Sequence, residues 1–279
     1  MAPLPKERVT PSRPFTVTGV DFAGPIFTYL KIHGKAPYKS YIAVFICFAT
    51  KAVHLEAVTD LTSDPFIAAL KRFVGRRGIE FSFIPPRAPH FGGLWEAAVK
   101  TAKGHLYRTL SNAHLTFEEL TTSLVEIEAI MNSRPLTATS TNPNDFESLT
   151  PAHFLIGTSL QGIPEPFLKN ENIAHAQRWQ RISAAKTHFW KRWQSEYLAD
   201  LQNRYRWKYD QDNVAVGNLV IIYDEHAPPM KWVMGRIVSV KTGADGRVRV
   251  ADVQTPTTVL RRPVAKLALI PINRNLIFQ

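Results

Sequence analysis

The run Tyr41-Ile-Ala-Val-Phe-Ile-Cys-Phe48 is apolar at every position, so both faces of an extended chain would be water-averse there. Side chains of a strand alternate between the two faces of its sheet, and a strand apolar on both belongs inside a sheet covered on both sides. The neighbouring segments supply the cover. Phe15 to Phe22 and Ala52 to Val58 are further strands, the latter alternating Val53, Leu55 and Ala57 with His54 and Glu56, which predicts one solvated face. Ser63 reads as an N-cap, with Pro65 in the first turn and Phe66, Leu70 and Phe73 at helical spacing. Ile79 to Ile84 is another strand, stopped by Pro85 and Pro86. Two helices follow, one over Gly93 to Leu110 and one started by the capping box Thr116 and Glu119, turning Leu120, Leu124, Ile127 and Met131 inward. Strands mixed with helices in this order predict an α/β sheet covered by helices.

Beyond Ile156 to Gly162 and the linker prolines Pro164 and Pro166, Ala176 to Tyr205 reads as a long basic helix with Ile182, Phe189, Trp193 and Leu201 on one stripe. After Asn213 come short strands, Leu219 to Tyr223, Val233 to Val240, Arg247 to Val253 and Val259 to Arg261, with turns at Pro228-Pro229 and Asp245-Gly246, which predict a small β-barrel. Lys plus Arg outnumber Asp plus Glu by 34 to 23, and +8 of the net +11 lies after Thr150, which favours a polyanionic partner. Cys47 is the only cysteine, which excludes an internal disulfide and a thiolate zinc site and points to an intracellular chain, nuclear or cytoplasmic. Apolar runs are too short for a bilayer and no signal-peptide core opens the chain, so no membrane partner is expected.

Two carboxylates stand out. Asp21 interrupts an apolar strand just before Gly24-Pro25, as a strand-end cap or as a site residue. Glu96 opens a helix after the loop Pro85-Pro-Arg-Ala-Pro-His-Phe-Gly-Gly-Leu-Trp95, where the helix dipole also favours a negative charge. Together they outline an oxygen-donor site for hard cations suited to phosphodiester chemistry. Lys100 and Lys103, four and seven residues after Glu96, share its helical face, as a solvated ion pair or as a phosphate-contacting stripe.

Longer blocks carry a resemblance. Leu4-Pro-Lys-Glu-Arg-Val-Thr-Pro-Ser-Arg-Pro-Phe15, Gly19-Val-Asp-Phe-Ala-Gly-Pro-Ile26, Phe83-Ile-Pro-Pro-Arg-Ala-Pro-His-Phe-Gly-Gly-Leu-Trp-Glu96, Met131-Asn-Ser-Arg-Pro-Leu-Thr137, Leu149-Thr-Pro-Ala-His-Phe-Leu-Ile-Gly157, Pro228-Pro-Met-Lys-Trp-Val-Met-Gly-Arg-Ile237 and Arg261-Arg-Pro-Val-Ala-Lys-Leu267 resemble, in order, the integrase region of BEL/Pao-type retrotransposon polyproteins. The resemblance implies a ribonuclease H-like core with an Asp, Asp, Glu triad that uses magnesium or manganese to process element DNA ends and join them to target DNA. It also implies an SH3-like barrel and a homo-oligomeric assembly. Asp21 matches the first acid and Glu96 the last, both as metal ligands, Lys100 and Lys103 match lysines that approach DNA in related retroviral integrases, and Arg87 is a further DNA-binding candidate.

The second acid of the resemblance, in a Ser-Asp-Asn-Gly-type motif, has no counterpart: the chain runs Val74-Gly-Arg-Arg-Gly-Ile-Glu-Phe81, as if a strand and a helix had been cut out near residues 78–79. Glu56, Asp60, Asp64 and Glu80 do not match the motif. The expected organisation is a ribonuclease H-like core over 1–155 lacking its fourth strand, a linker over 156–175, a basic helical arm over 176–210 and an SH3-like barrel over 211–273. The expected function is DNA binding with phosphoryl transfer disabled by the missing acid. The alternatives are a host-adopted or relic DNA-binding protein without catalysis, or a chain that does not fold. In the arm, eight Lys or Arg between Arg178 and Lys208 face two acids, with Trp179, Trp190, Trp193 and Trp207 interleaved. The tryptophans suit packing or base stacking, and Arg178, Lys191 and Arg192 suit phosphates. Lys231, Arg236, Lys241, Arg247, Arg249, Arg261 and Arg262 extend the basic character into the barrel.

Overall fold

The computed structural model describes residues 10–30, 35–79, 95–111, 113–140, 142–162, 178–203 and 213–271, with the backbone alone at 95–102, 178, 179, 181 and 203. The predicted strand over Ile79 to Ile84, Pro164 and Pro166, Trp207 and Arg87 lie outside these residues, Ile79 excepted. The chain forms two compact units. One gathers the described parts of Met1–Asn132, Phe154–Thr158 and Glu165–Phe189, the other those of Ser133–His153, Ser159–Pro164 and Trp190–Gln279. Segment Ser133–His153, which the sequence groups with the first domain, therefore packs with the C-terminal half.

The first unit is built on an antiparallel sheet in the order β1 (Thr18–Thr28), β2 (Tyr38–Cys47), β3 (Val53–Val58). The apolar run sits in the central strand, as its two-sided pattern requires: Ala43 and Phe45 are fully buried on one face, Ile42 and Val44 on the other. β1 does not stop at Gly24-Pro25. A register shift between Ala23 and Ile26 absorbs the two residues and the strand runs on to Thr28, so Asp21 is mid-strand, opposite Val44, and no strand-end cap. Among the described strands β1 pairs with β2 alone.

Helix α1 (Ser63–Arg77) begins one residue earlier than the sequence predicts. Thr62 holds the N-cap position and is fixed by Asp60, which accepts its N–H at 2.7 Å. Gly78 ends the helix in the left-handed conformation (φ 59°), its N–H donating to Val74 O, a geometry costly for other residues. Phe73 stacks on Phe45 at 4.3 Å and meets Phe15 edge-on at 5.2 Å, which anchors α1 to the central strand. Helix α2 (Trp95–Leu110) packs on β1, and α3 (Phe117–Asn132) lies along β3. The capping box forms as read: Glu119 accepts from the Thr116 N–H at 2.8 Å while Thr116 Oγ1 accepts from the Glu119 N–H at 3.3 Å. Its apolar positions Leu120, Leu124, Ile127 and Met131 are buried.

The predicted alternation in β3 fails: all six residues are buried, His54 and Glu56 included. α1 reaches both and α3 reaches His54, so the face expected to meet water meets charged helix side chains.

In the second unit the two-residue strands β4 (Thr137–Ala138) and β5 (Ser148–Leu149) pair with each other, and the short helix α4 (Pro151–Ile156) follows β5 in the chain. Helix α5 (Arg178–Asn203) divides between the units after Phe189 and carries the predicted stripe, with Ile182 and Phe189 of the first unit and Trp193 and Leu201 of the second all buried. Strands β6 (Leu219–Ile222), β7 (Val233–Thr242), β8 (Val248–Gln254) and β9 (Val259–Pro263) fall where the sequence places them. β10 (Leu267–Leu269) was not anticipated. The sheet order is β10-β6-β7-β8-β9, and no ladder joins β9 to β10, so the expected barrel is an open five-stranded antiparallel sheet. Five short strands twist enough to bend around Val220, Ile222, Ile237, Ala251 and Val253 without closing the hydrogen-bonding ring. No helix among the described residues is long and apolar enough to cross a membrane.

Candidate active site and basic surfaces

Asp21 is one-third exposed on β1. One oxygen accepts from the Phe22 N–H at 2.7 Å, and the other lies 2.5 Å from Lys103 Nζ, on the inner face of α2. Helix side chains lean toward the N-terminus of their helix, which lets Lys103 reach back along α2 to the strand. The lysine is the counter-ion of Asp21. Glu96 stands in the first turn of α2, seven residues before Lys103, and its side chain, like that of Lys100, lies outside the described residues.

A magnesium-type ion prefers an octahedral set of oxygens dominated by carboxylates and water. The carboxylate of Asp21 already holds an ammonium ion and a backbone donor, and among the described residues no three His, Cys, Asp or Glu side chains are gathered into a metal-holding group. The described residues alone do not form such an oxygen set for the divalent ion that the resemblance implies.

Two of the other acids, Asp60 and Glu56, are engaged elsewhere. Asp60 accepts from Thr62, first through its hydroxyl and then through its N–H, and these bonds hold its carboxyl below the usual range. Glu56 accepts from Arg72 Nε at 2.7 Å, Arg76 Nη1 at 2.5 Å and His54 Nε2 at 3.1 Å. His54 is clasped from its other side by Glu128 of α3 at 3.0 Å, and Glu128 also pairs with Arg77 and accepts from the Leu55 N–H at 3.0 Å. Asn132 completes the seam, its amide exchanging two 2.8 Å bonds with the Val53 backbone. Open edge groups of β3 are thus satisfied by side chains of α3.

Burial is the largest influence on His54 and disfavours its charge, but the bonds to Glu128 and Glu56 outweigh it and the imidazole pKa is raised. Each ring nitrogen lies within 3.2 Å of a carboxylate oxygen, while Arg77 Nη2 stands 3.1 Å from Nδ1 and its charge opposes the imidazolium. For Glu56, burial likewise opposes ionisation, and the His54 and Arg72 bonds with the nearby arginine charges overcome it, so its pKa is lowered. This six-residue network, absent from the sequence-level site, had one signal: two polar residues, His54 and Glu56, on a strand beside the most apolar run of the chain.

The basic residues of the C-terminal unit divide in two. Arg236 is 5% exposed, and its guanidinium donates to the carbonyls of Asp145, Gly217 and Ser140, each at 3.0 Å. It is an internal tie, not a surface cation, because the bend of the sheet carries its position under the 140–145 loop. Arg249 pairs with Asp245 at 2.7 Å, Lys266 with Glu225 at 3.3 Å and Arg261 with Asp252 at 2.7 Å. The Arg261 and Ser239 bonds hold the Asp252 carboxyl down to about 2. Lys191, Arg192, Lys231 and Lys241 are exposed. Trp190 meets Trp232 at 4.8 Å and donates through Nε1 to Ala227 O at 2.9 Å, which holds the segment carrying Lys231 against the helix carrying Lys191 and Arg192. Trp190 and Trp193 are buried, so they pack and do not stack on bases. The side chains of Arg178 and Trp179 lie outside the described residues.

Residues 177–270 match the model of a family of unknown function, DUF5641. No curated protein matches the chain. Among solved structures, it is similar to a chain in the cryo-electron-microscopy structure of the simian T-cell lymphotropic virus intasome in complex with PP2A regulatory subunit B56 gamma, at 13% identity and a TM-score of 0.32, covering 90% of this chain and 82% of that one.

Proposed function

We propose that the chain is an integrase-like, retrotransposon-derived DNA-binding protein whose phosphoryl-transfer centre is incomplete. The observation that carries this reading is the 2.5 Å pair of Asp21 with Lys103: the residue matching the first acid of the triad is neutralised from within the protein. The ordered sequence blocks support the ancestry, and the missing Ser-Asp-Asn-Gly-type motif supports the loss of chemistry. Two-metal catalysis needs carboxylates shared between ions at fixed positions, and Glu56, the buried acid nearest in type, is held by a histidine and two arginines. DNA association is supported by Lys191, Arg192, Lys231 and Lys241, which keep their charge at the surface of the second unit. Such contacts bind phosphate, release counter-ions and carry little sequence preference. BEL/Pao origin, magnesium or manganese use by intact relatives and self-association belong to the same proposal.

The test is a strand-transfer and disintegration assay on branched DNA with magnesium or manganese, run beside Asp21→Asn. The expected result is no product above that of the variant, with salt-sensitive DNA binding retained. Product that disappears in Asp21→Asn would show an intact centre and overturn the reading.

A further inference from the structure

We infer that the C-terminal half of α1, through Lys71, Arg72 and Arg76, forms a second surface for the phosphate backbone of nucleic acid, on the unit that carries Asp21. The inference rests on the DNA-binding reading above and extends it to residues that the sequence does not single out.

Five cations gather there. Arg72, Arg76 and Arg77 occupy the last two turns of α1, Lys71 is exposed in the same turns, and Arg13 is tied to the helix end by a 3.5 Å bond from its guanidinium to Arg77 O. The facing carboxylates are Glu56 of β3 and Glu128 of α3, both inward and only 3% and 14% exposed. Basic residues in a last helical turn favour the helix dipole, yet the dipole amounts to half a charge, too little for this surplus.

The geometry of the guanidiniums gives the surplus a use. Arg72 donates inward through Nε to Glu56 and through Nη2 to Ala57 O, and Arg76 inward through Nη1 to Glu56. Each fork has five N–H donors in one plane, so the inward bonds fix its orientation while the remaining donors stay on the solvent side. The side chains are 42% and 50% exposed. An unanchored surface arginine must be immobilised before it holds a phosphate. Here the buried carboxylate has already done so, and planar forks match phosphate oxygens in pairs. Arg72 and Arg76 are one helical turn apart, about 6 Å, close to the spacing of successive phosphates along a strand.

The test is fluorescence anisotropy of the full chain with a fluorescein-labelled 30-base-pair duplex over a series of salt concentrations. Wild type is compared with Lys71→Gln/Arg76→Gln, with Lys71→Gln alone and with Lys191→Gln/Arg192→Gln. The α1 double variant is expected to lower the slope of log affinity against log salt by about 2, the single by about 1, since each phosphate contact contributes about 0.9. Arg76→Lys in the wild-type background is expected to keep the slope. Thermal melting checks the fold, and if the double variant is unfolded the decision falls to Lys71→Gln, which has no inward partner in the network. An unchanged slope in the α1 variants, with a lower slope in Lys191→Gln/Arg192→Gln, would overturn this surface and leave the DNA-binding reading standing. Absence of duplex binding by wild type would overturn both.

Discussion

Glu56→Ala is expected to destabilise the N-terminal unit by about 3 kcal/mol or more. Removing one partner of a buried ion network costs more than the network contributes, because the remaining charges are left without compensation. Arg72 and Arg76 are half in solvent and can rehydrate, so most of the loss comes from His54, which is 2% exposed and cannot. The matched control is Glu225→Ala. Its pair with Lys266 lies at the surface, the two side chains 64% and 46% exposed, and a shift within about 0.5 kcal/mol is expected. Urea unfolding of both variants against wild type checks the contrast. Equal, small shifts would mean that Glu56 is not the hub.

The same network gives stability a pH window. Glu56 has a pKa lowered from its ordinary 4.5, so its contribution is complete above 4.5 and is lost as pH falls through the lowered value. His54 has a pKa raised from 6.5, so its contribution is complete below 6.5 and is lost as pH rises through the raised value. The network therefore contributes most between pH 4.5 and 6.5. The difference in melting temperature between wild type and His54→Gln is expected to be greatest in that window and to shrink on the alkaline side. A difference that grows with pH would reverse the assigned charge state of the imidazole.

These residues also mark where the sequence stops being legible. The central strand, the Thr116–Glu119 cap and the stripe of α5 follow from periods of two and 3.6 and from bonds three residues apart, so they are readable locally. His54 and Glu56 look like the wet face of a half-buried strand because the pattern records polarity, not cover. Their partners stand 16 to 74 residues away, on α1, which Phe73 anchors to Phe45, and on α3. Asp21 is conspicuous as an acid in an apolar strand, but its neutralisation by a lysine on another element leaves no local trace. β10 is three residues long and becomes a strand only because β6 offers it an edge. Barrel closure failed as an expectation for a related reason: alternation places strands in a sheet without fixing whether its two edges meet.

Arg236→Met is expected to cost about 2–4 kcal/mol in the C-terminal unit, although its sequence context suggested a surface cation. The substitution keeps the length of the side chain and removes its donors, leaving the carbonyls of Ser140, Asp145 and Gly217 to find other partners. Water can reach part of that loop, which keeps the cost below the sum for three fully buried acceptors. Asp145 is the second tie of the same loop. Its carboxylate accepts from Ser140 Oγ at 2.6 Å and from the Glu147 N–H at 2.8 Å, and these bonds, with the nearby charge of Arg236, hold its pKa low. Loss of the guanidinium thus loosens both sides of one knot. Arg236→Lys is expected to recover less than half of the loss, since a single ammonium cannot span three carbonyls that a planar fork reaches together. At a temperature where Arg236→Met is still folded, the salt slope of its duplex binding is expected to equal that of wild type. A lowered slope with unchanged stability would return Arg236 to the DNA-facing surface, whereas the melting shift alone would place it among the residues that hold the sheet to its loop.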